Sequence, residues 1–123
     1  MLCCIGAGVT GVLIWRVRHD DFTVTGDLTL AGGGAGKEGA ECYGTEVYND
    51  IVPGTQIVIS SSDGSTVAAG RLDTGVTRGQ DCVFPFTVKH VPQTHKFYGV
   101  TISQRGTLTY TQKEMKHPLH LYL

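Results

Sequence analysis

The sequence predicts an all-β fold: an antiparallel two-sheet sandwich of about seven strands, with a short N-terminal hydrophobic helix in front of it. Three observations carry that prediction. From Phe22 onward, apolar residues take every second position in segment after segment, the pattern of a strand with one buried face. Asp63-Gly64 lies between two such runs in Gly54–Leu72, GTQIVISSSDGSTVAAGRL, and Asp-Gly is a strong hairpin signal because glycine accepts the positive φ of the turn. The 17 glycines in 123 residues suit a turn-rich β protein better than a helical one. Seven strands with one apolar face each call for two layers packed face to face. The length allows one domain, residues 20–123, and a short appendage, residues 1–19.

The appendage contains Leu2–Trp15, LCCIGAGVTGVLIW, which carries no charge. As a helix it would be about 21 Å long, against a bilayer core of about 30 Å. No Lys or Arg precedes it, as a signal peptide would require. Arg16 and Arg18 follow it, and the positive-inside rule alone would then place the rest of the chain in the cytoplasm. The reading adopted is a truncated or mis-started membrane anchor whose upstream basic residues are missing, with the domain outside. Its expected anchor residues are Leu2, Ile5, Val9, Val12, Leu13, Ile14 and Trp15. Ile5–Gly11 also matches GxGxxG and resembles the phosphate loop of Rossmann domains, with Asp27 near the place of the ribose-binding acid. Context opposes that match: the first strand is barely present and no alternation of β and α units follows. A second GxGxxG at Gly34, Gly36 and Gly39 shows how cheap the pattern is in this chain. Small residues open to helix packing are the better account of Gly6, Gly8 and Gly11.

The first strand is Phe22–Leu30, where Phe22, Val24, Leu28 and Leu30 alternate with polar residues and Gly26 shares their face. Ala31–Gly39 reads as a flexible loop, and Tyr43–Pro53 as an irregular stretch whose Tyr48, Ile51 and Val52 tuck against the sheet edge. The hairpin has two competing registers. A two-residue loop would set Ile59 opposite Ala68 and Ile57 opposite Gly70. A three-residue Ser62-Asp63-Gly64 loop sets Ile59 opposite Val67 and Ile57 opposite Ala69; it gathers four apolar side chains and is the expected register. Asp73–Asp81 reads as a turn-rich connection. Cys82, Phe84, Phe86 and Val88 then line one face of a strand, and Pro85, which lacks an N–H, places it at a sheet edge or bulge. Tyr98, Val100 and Ile102 form the next inner face, and Gln104-Arg105-Gly106 turns it into Leu108 and Tyr110. Thr111 and Glu114 have capping-box spacing for one helical turn ending near Met115. Leu119, Leu121 and Leu123 close the pattern.

Composition excludes some functions. A formal net charge of −1, with no basic stripe, argues against nucleic acid, and no polybasic run addresses an anionic membrane surface. Of the four cysteines, Cys3 and Cys4 lie in the apolar segment; Cys42 and Cys82 lie in the polar part. The latter two are either a bridge, worth about 4 kcal/mol by loop closure, or two buried thiols in a reducing compartment. No Cys/His spacing suggests zinc.

No catalytic constellation emerges. There is no GxSxG elbow, and Ser60-Ser61-Ser62 belongs to a hairpin tip. His117 and His120, three apart near a strand, point to opposite faces, while His90 and His95 flank a loop. Asp50, Asp73 and Asp81 fall in loops without the D-x-D-x-D-G run of a calcium site. Asn49, the one asparagine, lies in a loop rather than a buried strand, which disfavours a Lys–Asn cross-link. The expectation is a non-enzyme with no cofactor, no metal and no small-molecule substrate.

Two resemblances add to this. Phe22–Leu30, the GTQIVISSSDGSTVAAGRL hairpin, CVFPFTVKHVP, KFYGVTISQRG and the terminal strand together resemble the transthyretin-like, carboxypeptidase-regulatory-like β-sandwich. More narrowly, the chain resembles small membrane-anchored envelope proteins of actinobacteria, through F-T-V-x-G-x-L-T-L, Cys42-Tyr43-Gly44, Asp50-Ile51 to Val58, and C-x-F-x-F from Cys82. The short N-terminus and the Glu46-Val-Tyr-Asn insert depart from that pattern. The resemblance implies a Cys42–Cys82 disulfide and an extracytoplasmic location, and carries over no activity. The expected function is a non-enzymatic, membrane-tethered domain that binds other envelope or membrane proteins, or a glycan. The alternative is an accessory subunit whose helix packs within a larger membrane complex.

Overall fold

The computed structural model describes residues 21–123. The expected anchor residues Leu2, Ile5, Val9, Val12, Leu13, Ile14 and Trp15 lie outside the described residues. The described chain forms β1 (Asp21–Leu30), β2 (Glu41–Cys42), a 3-10 turn (Glu46–Tyr48), β3 (Gln56–Ser61), β4 (Thr66–Leu72) and β5 (Gly75–Arg78). It continues through β6 (Asp81–Pro92), β7 (Phe97–Ile102), β8 (Arg105–Thr111), α1 (Gln112–Met115) and β9 (Leu119–Tyr122).

Hydrogen bonding runs without a break in the order β2-β5-β6-β4-β3-β7-β8, with β1 on the other side of β6 and β9 beyond β1. The pairings are antiparallel except β1 with β9. The fold is therefore one curled sheet of nine strands, in which the long β6 belongs to both halves. The sequence predicts seven strands because β2 is two residues long and β5 buries Gly75 and Thr77 rather than large apolar groups. A buried face of that kind leaves no apolar alternation to read. The expected alternation holds where the side chains are large. Val24, Leu28, Ile57, Ile59, Phe84, Phe86, Val88, Tyr98 and Val100 form one core with Leu119 and Leu121. Ile51 and Met115 join it as well.

The hairpin register is a correction. The three-residue loop forms as expected: the Ser61 N–H donates to the Ser65 carbonyl at 2.9 Å, and Gly64 has φ +90°. The Asp63 carboxylate accepts from Ser61 Oγ and from the Ser65 N–H. Below it, however, Ser60 pairs with Thr66 and Ile59 with Ala68, so Val67 is an extra residue and Ile57 faces Gly70. The isoleucines need no large partner on β4, because they are already fully buried by the core. Gly70 is small for a reason: a Cβ there would lie 2.8 Å from the Thr87 carbonyl oxygen and from Val88 Cγ2. The bulge thus aligns small residues with the passage of β6.

Pro85 is also a correction, since β6 is an interior strand. It sits where pairing to β4 (Leu72–Phe86) hands over to pairing to β5 (Val76–Val83). Its carbonyl accepts from the Asp73 N–H at 2.8 Å. The nitrogen of the same residue points to that same corner, so the missing N–H removes no bond to β1.

Cys42 and Cys82 form a disulfide, with S–S 2.04 Å and Cα–Cα 5.8 Å, that ties β2 to β6. Asp73–Asp81, expected as a connection only, contains β5. Ala31–Gly39 is pinned rather than loose. Gly34 N–H donates to the Gln80 carbonyl, Gly39 N–H to the Thr77 carbonyl, and Ala35 N–H to Thr77 Oγ1. The capping box forms as the spacing predicts, Thr111 and Glu114 each accepting the other's N–H.

Candidate functional site

The curl stops before it closes. Among the described residues β8 pairs with β7 alone and β9 with β1 alone, so each keeps one free edge. Between them lies a cleft of about 250 Å³, with Leu28, Val100, Ile102 and Leu121 as its apolar floor. Arg105–Leu108 of β8 and Tyr122-Leu123 form its walls. Leu108 pairs with Val100 and shares its inward face, as the alternation predicts. It is nevertheless 51% exposed, because no strand stands on the far side of β8. Alternation in β9 sends Leu119 and Leu121 inward and leaves Tyr122 72% exposed at the cleft mouth.

A second cleft, of about 610 Å³, adjoins this one between the Leu30–Ala35 loop and the Glu41–Tyr48 segment. Tyr43 and Val47 stand exposed on its rim. Two contacts join the clefts: Arg105 Nη2 donates to the Val47 carbonyl at 2.5 Å, and the Ala31 N–H donates to the Leu123 carbonyl at 3.2 Å. Of the five large apolar residues exposed in the described chain, Tyr43, Val47, Leu108 and Tyr122 therefore gather at one end. A contiguous patch of that kind marks an interaction surface more often than scattered apolar residues do.

Arg105 organises this end. Its guanidinium forks onto the Asp50 carboxylate, Nε to Oδ2 at 3.0 Å and Nη2 to Oδ1 at 2.5 Å, and lies 4.8 Å from the Tyr48 ring centroid. The bidentate bond from Arg105 is the main reason the Asp50 carboxyl is lowered from 3.8 to about 2; a Ser103 hydrogen bond helps and partial burial opposes. The Arg105 pKa is raised in turn, chiefly by its bond to Asp50. The pair fixes the 3-10 turn onto the start of β8, and so sets the shape of both clefts. Sequence reasoning missed it: Arg105 reads as a turn residue, and its partner lies 55 positions away.

The other singled-out residues do not converge. Ser61 is committed to the hairpin turn through Asp63. His120 Nδ1 lies 3.1 Å from Asp27 Oδ1 across β1 and β9, away from His117. His90 faces Asp21 at 3.8 Å, and His95 packs edge-on against Tyr98. Asp81 accepts from the Gly32 N–H, and Asn49 ends the 3-10 turn. Among the described residues no group of three or more His, Cys, Asp or Glu is placed to hold a metal ion. No helix among them is long and apolar enough to cross a membrane. No protein-family model matches this chain, and no curated protein or solved structure matches it either.

Proposed function

We propose that this chain is a non-enzymatic domain, tethered to a membrane through residues 1–19 and held outside the cytoplasm, that binds a protein partner by strand addition. One observation carries the reading: two free strand edges flank an apolar cleft floored by core residues. An extended partner segment satisfies the edge N–H and C=O groups with its backbone and drops alternate apolar side chains onto Val100, Ile102 and Leu121. The disulfide supports an oxidising, extracytoplasmic address. The motifs around Cys42 and Cys82 support kinship with actinobacterial envelope proteins, and the curled antiparallel sheet is compatible with a transthyretin-like sandwich.

Leu108→Lys tests the reading, since it places a charge on the cleft wall at a half-exposed position where folding has little to lose. Native purification of the tagged chain is expected to recover a partner cross-linked to β8 or β9, and the variant to lose it without a change in melting temperature. Recovery of the wild type as an isolated monomer, with no partner on repeated cross-linking, would overturn strand addition. Co-migration with a stoichiometric membrane assembly, unaffected by Leu108→Lys, identifies an accessory subunit instead. Free thiol labelling of Cys42 and Cys82 in unreduced intact cells removes the external address.

A further inference from the structure

Opposite the clefts, the domain ends in a second surface of different character. His90 near Asp21, Lys116 Nζ 5.7 Å from the Phe22 ring centroid and 2.8 Å from Gln93 Oε1, and Gln112 bonded to the carbonyls of Gln93 and His95 bring three segments together. These are the start of β1, the stretch 89–96 and α1. Four of the chain's five lysines, Lys89, Lys96, Lys113 and Lys116, stand exposed on this end, and His90, His95 and His117 accompany them. They come from positions 89 to 116, which is why no basic run is visible in the sequence.

The acidic groups at this end are turned toward their own chain. Asp63 is held by Ser61 and the Ser65 N–H, the Glu114 carboxylate accepts from the Thr111 N–H at 2.8 Å, and Asp21 faces His90. The cleft end has the opposite balance, with Glu38, Glu41, Glu46, Asp50, Asp73 and Asp81 against Lys37, Arg71, Arg78 and Arg105. The domain is therefore polar along its length. Its chain enters at Asp21, on the basic end, and the uncharged Leu2–Trp15 lies within the twenty residues that precede Asp21 in sequence.

We infer that the basic end is a contact surface for anionic lipid headgroups, with Lys89, Lys96, Lys113 and Lys116 as the phosphate-facing charges. Exposed ammonium groups on flexible stems suit a dense, fluid array of headgroups better than one shaped ligand. The inference rests on the tethered reading for its orientation: an anchored chain brings this end to the membrane and leaves the clefts pointing away.

Lysine acetylation of the full chain in vesicles tests it. Reconstitution uses phosphatidylcholine alone or phosphatidylcholine with phosphatidylglycerol, and mass spectrometry reads each lysine. The four lysines are expected to react about fivefold more slowly in the anionic vesicles, with Lys37 at the cleft end unchanged. Added salt should erase the difference. Lys113→Gln with Lys116→Gln should reduce the protection of Lys89 and Lys96. Equal rates in both vesicle types, in a chain that floats with both, overturn the contact while the tether stands. A chain that floats with the anionic vesicles and not with phosphatidylcholine alone loses the tether and keeps the contact; one that floats with neither loses both. Protection by soluble polyphosphate and none by phosphatidylglycerol assigns the face to a different polyanion and overturns the proposal.

Discussion

At the Asp21 end a short helix covers the core, whereas at the Leu123 end the core is left beside two free strand edges. Near Asp21 the Tyr98 hydroxyl, fully buried, donates to the Pro92 carbonyl at 2.5 Å, Phe22 meets Tyr98 edge-on, and α1 covers the core with Met115. Large apolar groups other than Phe97 are hidden there, and lysines remain outside. Near Leu123 the strands β8 and β9 leave core residues visible between their free edges. A side-chain latch, Arg105 with Asp50, and a disulfide stiffen that end in place of a further strand. The difference teaches that what covers the core shapes the surface: of the five exposed large apolar residues among the described ones, only Phe97 lies at the end that α1 covers, whereas Leu108 and Tyr122 stand beside the free edges of β8 and β9.

The largest effect expected is on the disulfide. Cys42→Ser with Cys82→Ser opens a loop of sequence separation 40 and should cost about 4 kcal/mol, measured by urea unfolding. Hydrogen exchange should quicken in residues 31–53 before it does in α1. Equal loosening of both ends would break the comparison.

Next is the latch. Arg105→Ala should cost about 1 kcal/mol, since the bond is bidentate but about a third of each side chain is exposed and screened. Because Asp50 is lowered from 3.8 to about 2, the stabilisation is complete above about pH 4 and is lost as pH falls toward 2. Unfolding curves of wild type and variant should therefore converge across that window, and a gap that persists at pH 2 would assign the cost to packing on Tyr48.

At the basic end, Thr111→Ala removes the N-cap of α1 and should cost about 1 kcal/mol or slightly less, with fraying confined to α1 and the exposure of Met115. Exchange data showing the clefts disturbed as well would mean that the two ends are mechanically coupled.

Much of the inner surface was legible in advance. Val24 and Leu28, Phe84 and Phe86, Tyr98 and Val100 take alternate positions because one face of each strand is hidden, and the structure buries them all. The Asp63-Gly64 turn and the Thr111–Glu114 cap were readable for a similar reason, since both are closed by residues within a few positions of one another. Of the candidate site, Leu108 was legible as an inner-face residue, but its exposure was not.

Local chemistry thus settled which residues turn inward, where the hairpin bends and where α1 begins. Tertiary structure alone decided the rest: the extra residue at Val67, the interior place of Pro85, strand β5 on its glycine and threonine, the Arg105–Asp50 latch and the lysine-rich end. Each of these depends on a neighbour tens of residues away. Period-two patterning records which side of a strand is buried, and carries no record of which strand lies beside it or whether any does.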